Sequence, residues 1–412
     1  MNARSDHAAR GTESTSRPTR RQLLFGGAAA GAGALVALGA ERLSTPAPAP
    51  AAGPVLHGRA VVPFHGPHQA GIATDATAHL TLVALSLHPQ NDRERMRRMM
   101  RVLSDDAARL TAGEPALADT EPELARDPAR LTVTFGFGPE FVARAGGDSP
   151  PWLAPLPKFT IDRLQPEFTG GDLIIQVAAD DPMTVAHTTR MLLKDARSFM
   201  RVHWVQHGFR QAHGTVAPGT TMRNLFGQVD GTANPRPGDD DFDEVVWSAG
   251  GWLSGGTGMV VRRIRMNLDT WDEVDRGARE FAVGRRLDTG APLTGEREHD
   301  EPDFAAKDGL GFPMIHDLAH IRRARSADPA ERIFRRGYNY DVPSSDPGSV
   351  SESGLVFISF QADVSRQFTP MQERLAKADL LNIWTTPVGS AVFAVPPGCA
   401  PDGYIGETLL EA

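Results

Sequence analysis

Cysteine is nearly absent: the 412 residues hold one, Cys399. A single thiol allows no intrachain disulfide and no thiolate cage for zinc or an iron–sulfur cluster. It sits in Pro396-Pro397-Gly398-Cys399, which reads as a surface loop carrying an inert thiol. Aromatics are sparse at 7%, although 19 Phe and 6 Trp can still furnish a core. There is no Gly-rich phosphate loop ending in Lys, no His-Glu-x-x-His helix and no Gly-x-Ser-x-Gly elbow. The sequence signals of P-loop nucleotide hydrolysis, zinc proteolysis and α/β-hydrolase chemistry are therefore missing. Positive charge is in deficit, with a formal net charge of −8. Residues 1–52 carry six Arg against three acids, and removing their +3 leaves −11. That balance argues against nucleic acid as a partner and against anionic membrane surfaces.

The N-terminus carries an address. Arg20-Arg21 precede a mildly apolar run over residues 23–40, which Gly26, Gly27, Gly31, Gly33 and Gly39 dilute. A Pro/Ala stretch of small residues follows. This is the order of an export signal, and the twin Arg with a weak apolar run points to the twin-arginine translocation machinery and an exported, periplasmic or extracellular protein. An uncleaved anchor is the other reading of an 18-residue run. No second run of that length exists. The twin-arginine route carries folded proteins, which suits a chain that loads a cofactor first.

Beyond the leader, strand and helix patterns alternate. Residues 60–62, 80–87, 131–137, 172–178, 259–266, 354–360 and 390–395 read as strands, with 259–266 resembling an exposed edge. Residues 91–112, 182–199, 267–280 and 368–381 read as helices. The expectation is an α+β fold of antiparallel sheets with packed helices, in two similar halves. Thr215-Val216-Ala217-Pro218-Gly219 has linker chemistry, which sets the division at residues 1–52 (signal and linker), 53–217 and 218–412.

Three segments hold candidate chemistry. In Asn224-Leu225-Phe226-Gly227-Gln228-Val229-Asp230-Gly231-Thr232-Ala233-Asn234-Pro235, two glycines bracket an acid. They either bring the backbone close to a flat ligand and aim Asp230, or simply form Asp-Gly and Asn-Pro turns. In the segment 312–324, His316 and His320 lie four apart. On a helix they would share a face and suit zinc, while a lone neutral imidazole suits haem iron, and plain packing is the third reading. Arg335-Arg336, between apolar residues, would alternate in direction on a strand, and an inward Arg calls for an anion. His203 and His207 read as helix surface and core, and residues 239–244 as a solvated charge run.

Taken with Pro63-Phe64-His65-Gly66-Pro67-His68-Gln69-Ala70-Gly71-Ile72, Ala319-His320-Ile321-Arg322 and Arg335-Arg336-Gly337-Tyr338, these pieces resemble the dye-decolourising peroxidase family. The similarity runs from about residue 57 to residue 410, and the leader fits the exported branch that includes deferrochelatase/peroxidases. The resemblance implies two ferredoxin-like halves in a dimeric α+β barrel-like arrangement, with haem b in the second half. It implies His320 as proximal iron ligand, Asp230 as distal acid and Arg335 as distal arginine, with Arg335, Gly231, Thr232, Asn234 and Asp363 around the cofactor. Asp363 is the expected carboxylate partner of His320. The segment 325–332 is comparatively short, which bears on propionate contacts. The activity implied is reduction of hydrogen peroxide with one-electron oxidation of bulky organic donors such as dyes, in a homo-oligomer, and a carboxylate as the base sets the expected optimum below neutral pH. Trp252, Trp271, Trp384, Tyr338 and Tyr340 are candidate electron relays or plain core residues. Release of iron from haem, a non-enzymatic haem carrier and a metal-only site are the competing functions.

Overall fold

Strand patterns with both faces apolar become strands buried on both sides. The computed structural model describes residues 56–344 and 347–412, and the export signal lies outside the described residues. In chain order the strands are β1 (His79–Leu87), β2 (Thr132–Phe137), β3 (Leu173–Ala179), β4 (Met200–Phe209), β5 (Thr257–Met266), β6 (Phe334–Arg335), β7 (Tyr338–Val342), β8 (Glu352–Gln361) and β9 (Thr385–Val395). The α-helices are α1 (Arg93–Thr111), α2 (Pro139–Ala145), α3 (Pro182–Ala196), α4 (Phe242–Val246), α5 (Leu268–Asp272), α6 (Arg276–Val283), α7 (His320–Ala324), α8 (Val364–Ala378) and α9 (Glu407–Leu410). Asp92 caps α1 and Asp181 caps α3, each side chain accepting the amide three residues on. Such caps satisfy amides the helix itself leaves free.

The strands form one antiparallel sheet in the order β5-β9-β2-β3-β1-β4-β7-β8-β6. An additional β5–β8 pairing closes it into a barrel. Within residues 79–209 the order is β2-β3-β1-β4, and within residues 257–395 it is β9-β5-β8-β7. Two short seams join the groups, Phe137 opposite Ala394 and Phe209 opposite Asn339.

The two-residue period of β1 shows how the core is built. Leu80, Leu82 and Ala84 point into the barrel with Met259, Ile358 and Phe393. Val83, Leu85 and Leu87 point outward, under Met96, Met100 and Leu103 of α1. Truncating one such side chain to alanine costs roughly 2–5 kcal/mol. A third cluster, with Met222, Phe226, Met266, Trp271, Val283 and Leu381, lies beneath the segment that carries Asp230.

Several expectations are corrected. β5 is interior rather than an edge, paired along its length with both β8 and β9. Its arginines alternate like a solvent face, but Arg262 is bonded to Asp162 and Arg263 to Glu352, with Arg263 also over the rings of Phe168 and Tyr340. Paired and stacked guanidinium groups can be buried where single charges cannot. His203 and His207 lie on β4, not on a helix, because a strand of alternating burial carries residues four apart on one face as well. Residues 267–280 form two helices, since Asp275 caps a new one at Arg276. Residues 60–62 form no strand. Cys399 is buried, its sulfur 3.6 Å from His65 Nδ1, and burial pushes the thiol up to about 11.

Candidate active site

Asp230 ends a tight hairpin. Arg223 bridges Val229, and Asn224 closes the turn by accepting the amides of Phe226 and Gln228 on its side-chain oxygen. The hairpin rests on Trp271, which is 1% exposed and donates its indole N–H to the Phe226 carbonyl. The Asp230 amide donates to the Met222 carbonyl at 2.8 Å. Gly231 then takes φ +135°, a conformation that side-chain-bearing residues rarely adopt, and an added Cβ would lie 3.2 Å from Thr221. The turn therefore fixes the direction of the carboxylate.

Arg335 reaches that carboxylate from β6. Its Nη1 donates to Asp230 Oδ1 at 2.9 Å, and Asn224 Nδ2 donates to Oδ2 at 3.3 Å. Asn234 grips the Arg335 backbone twice, its side-chain N–H donating to the carbonyl at 2.6 Å and its oxygen accepting the amide at 2.9 Å. Nε and Nη2 of Arg335 meet no acceptor among the described residues, so part of the guanidinium remains available to an anion. Arg336 turns the other way, as strand alternation requires. It is 2% exposed and donates to the carbonyls of Ile72, Thr74 and Asp75. The early segment around Ile72 is thereby tied to the strand that presents Arg335.

His320 opens α7. Gly284, at φ +88°, ends α6 against this helix, where an added Cβ would fall 2.8 Å from Ile321. The amide of Leu380 donates to the carbonyl of Leu318, drawing the segment after α8 alongside. Asp379 thus lies 2.7 Å from His320 Nδ1 through Oδ2, while its Oδ1 accepts the Leu381 amide at 2.9 Å. Burial opposes the imidazolium, and the charge and hydrogen bond of Asp379 outweigh it, so His320 titrates above the ordinary histidine value. Arg335 and Asp230 are the next charges to act on it. About a third of the side chain is accessible, yet burial remains the strongest influence. Donation of Nδ1–H to a carboxylate leaves Nε2 as a basic lone pair, and Nε2 has no protein partner among the described residues.

Other candidates fall elsewhere. Asp363 is corrected: it caps α8 by accepting the Arg366 amide at 2.9 Å, and the partner of His320 is Asp379. A residue at the start of a long helix is held by the amides there, whereas Asp379 follows that helix and returns beside α7. His316 precedes α7 in a turn, against Phe281, so the two histidines share no helical face. No metal-binding group of three ligands occurs among the described residues. Thr232 donates to Glu298 at 2.9 Å. Trp271 and Trp384 stack edge to face in the third core cluster, and Tyr338 and Tyr340 are buried. A cleft of about 680 Å³ between α3 and strands β1 and β4 contains none of these residues. Asp379, Asn224 and Glu298 escaped sequence reasoning; only Asn224 lay inside a segment already singled out, six residues before Asp230.

Comparison with known proteins follows the two groups of strands. The family model described as Dyp-type peroxidase, N-terminal, matches residues 69–210, and Dyp-type peroxidase, C-terminal, matches residues 221–400. The chain is 38% identical over 362 residues to the dye-decolorizing peroxidase of Thermobifida fusca (strain YX), covering 83% of this chain and 84% of that one. It is 35% identical over 373 residues to the deferrochelatase of Yersinia pestis, covering 85% of each. The solved DyP-type peroxidase from Cellulomonas bogoriensis superposes with a TM-score of 0.84 at 54% identity, covering 87% of this chain and 100% of that one.

Proposed function

The chain belongs to the Dyp-type peroxidase family, and on that footing we propose the parts played by its own residues. It is a haem peroxidase that reduces hydrogen peroxide and oxidises organic donors. The donor set fits haem: one imidazole, oriented by a carboxylate, with its second nitrogen free, and a carboxylate–guanidinium pair near enough to act on it. His320 Nε2 would hold the iron. Arg335, with Gly231, Thr232 and Asn234 of the Asp230 segment, would help to hold the haem on the side of Asp230, while Asp363 caps α8. Bound haem supplies an iron that exchanges electrons with peroxide and takes them back singly from donors.

Asp230 works as a single acid–base group. Arg335 holds Oδ1, so Oδ2, only loosely held by Asn224, accepts a proton from the incoming peroxide and returns it to the departing oxygen, and water leaves. Arg335 stabilises the negative charge that grows as the O–O bond breaks, using N–H groups not committed to Asp230. Asp379 keeps the imidazole in one tautomer and strengthens it as a donor.

The His320–Asp379 contact carries this reading. Absorption spectra of wild type and His320→Ala, before and after peroxide, test it: the variant should lose the wild-type Soret band and its response. An unaltered band would remove His320 as the ligand. Removal of iron from haem is the second reading, favoured by the relative named a deferrochelatase. Incubation with haem separates the two, because release leaves free iron and intact protoporphyrin.

Three further proposals accompany this one. Each half is ferredoxin-like, divided near residue 217; the strand orders β4-β1-β3-β2 and β9-β5-β8-β7 support it, as does the gap between the two matched regions. The chain is exported by the twin-arginine route, supported by Arg20-Arg21, and replacing both with lysine should keep it in the cytoplasm. It is a homo-oligomer, supported by the exposed apolar side chains Leu310, Phe312 and Phe281, and light scattering of the purified protein tests this.

A further inference from the structure

Asp230 and Arg335 need a scaffold that keeps the Asp230 turn from moving, and that scaffold lies on the segment 284–298. The segment is anchored at both ends. The Leu293 amide donates to the Gly284 carbonyl, and Arg285 Nη1 donates to the carbonyls of Gly290 at 2.7 Å and Glu298 at 2.8 Å. It then touches the hairpin along its length. Arg223 donates to the carbonyls of Leu287 and Asp288, both at 2.6 Å, and Gly290 packs so closely on Val229 that an added Cβ would lie 3.0 Å away.

At the far end stands Glu298, about a quarter exposed. Its Oε1 accepts the hydroxyl of Thr221 at 2.6 Å and that of Thr232 at 2.9 Å. These two threonines belong to the arms on either side of Asp230, and Thr221 also covers Gly231. One oxygen therefore joins the chain entering the turn to the chain leaving it. The Asp230–Met222 bond ties the turn up to Asp230, but the glycine at φ +135° that follows gives shape and adds no resistance to motion of its own. The cross-link supplies that resistance.

We propose that Glu298 is a positioning residue for the peroxide reaction: it staples Thr221 to Thr232 and so holds Asp230 against Arg335. The proposal rests on the reading of Asp230 as the proton-transferring group. The staple uses acceptor geometry, not charge, so an amide oxygen at the same position can replace it.

The test uses haem-loaded wild type, Glu298→Ala, Glu298→Gln, Thr232→Val and Asp230→Asn. Hydrogen exchange of the peptide over residues 221–235, read by mass spectrometry, reports the staple without reference to turnover. In Glu298→Ala that peptide should exchange about tenfold faster or more, while kcat/KM for peroxide falls roughly 10–100-fold, the scale of loss from small misplacements of catalytic groups. Glu298→Gln should recover most of both effects. Thr232→Val, which keeps the carboxylate and removes one arm, should reproduce the alanine variant in weaker form, and it stands in should that variant fail to fold. Unchanged exchange in both Glu298→Ala and Thr232→Val overturns the proposal. Equal impairment in the Gln and Ala variants also overturns it, by showing that charge rather than the staple matters. Asp230→Asn with undiminished peroxide turnover removes the reading beneath it, and that arm alone identifies this failure.

Discussion

Replacing Asp379 by asparagine probes the orientation of the imidazole at its source. The aspartate serves two donors, His320 Nδ1 at 2.7 Å and the Leu381 amide at 2.9 Å. Asparagine has one acceptor oxygen, so it can satisfy one of them while turning an NH2 group toward the other. A hydrogen bond to a charged group is worth roughly 1.5–3 kcal/mol and a neutral one roughly 0.5–1.5 kcal/mol. The difference, about 1–2 kcal/mol, is the part of the carboxylate's pull on the imidazole that is lost. For a one-electron couple, in which a tenfold change in equilibrium is about 59 mV, it corresponds to roughly 40–90 mV. The sign follows from charge: the carboxylate favours the ferric, more positive state of a His320-ligated haem, so its loss raises the Fe(III)/Fe(II) midpoint. Spectroelectrochemical titration of the haem-loaded proteins measures this directly. Asp363→Ala is the contrasting variant. It removes a cap at a cost of about 1 kcal/mol and should leave the midpoint where it was. A midpoint in Asp379→Asn within about 10 mV of wild type, or below it, refutes the reasoning, since the expected shift exceeds that several-fold.

Arg335→Leu removes the guanidinium that faces Asp230 and should lower kcat/KM for peroxide by about 10²–10³, as loss of one preorganised donor to developing charge does. Stopped-flow mixing with peroxide checks it, and a loss below about threefold would take Arg335 out of the peroxide step. Gly231→Ala puts a Cβ at φ +135° against Thr221, costing roughly 1–3 kcal/mol of backbone strain. A melting point unchanged from wild type would show that the turn tolerates a side chain. Asp195 on α3 shares a hydrogen bond with buried Asp106 on α1. Burial first, and then that acid, raise its pKa to about 7, against the pull of Lys194 and Arg197. Because the folded value lies above the unfolded one, the native state loses stability as pH rises from about 4 through about 7. Discounted for partial exposure, the loss is roughly 1–2 kcal/mol. Asp195→Asn should flatten that slope and be more stable than wild type above pH 7 in urea melts, and a less stable variant there would contradict the assignment.

The parts of the fold that were legible are those where local period and burial agree. β1, β3, β8 and β9 are apolar runs because both their faces are covered, and α1 shows its Met and Leu stripe because only one face is. β5 misled because its arginines imitate a solvent face. Nothing near Arg262 in the sequence indicates Asp162, a hundred residues earlier, which makes that burial tolerable. β4 misled for the related reason that a strand with an open outer face can place polar groups four apart, as a helix does.

The active site divides along the same line. Asp230 and Arg335 stand in short segments whose glycines and doubled arginines mark them locally, and the structure brings the two together at 2.9 Å. The carboxylate that orients His320 had no such mark. Asp363 and Asp379 bracket the same helix, both are aspartates, and both accept backbone amides at a helix end. Only the path of the chain separates them, through the bond from the Leu380 amide to the Leu318 carbonyl that sets one end of α8 beside α7. Residues that bear chemistry are constrained by their own neighbours in sequence, whereas residues that orient them are constrained by where distant segments meet. Glu298, like Asp379, belongs to the second kind. It reaches Thr221 and Thr232 across 77 and 66 residues, so its place became visible only once the chain was folded.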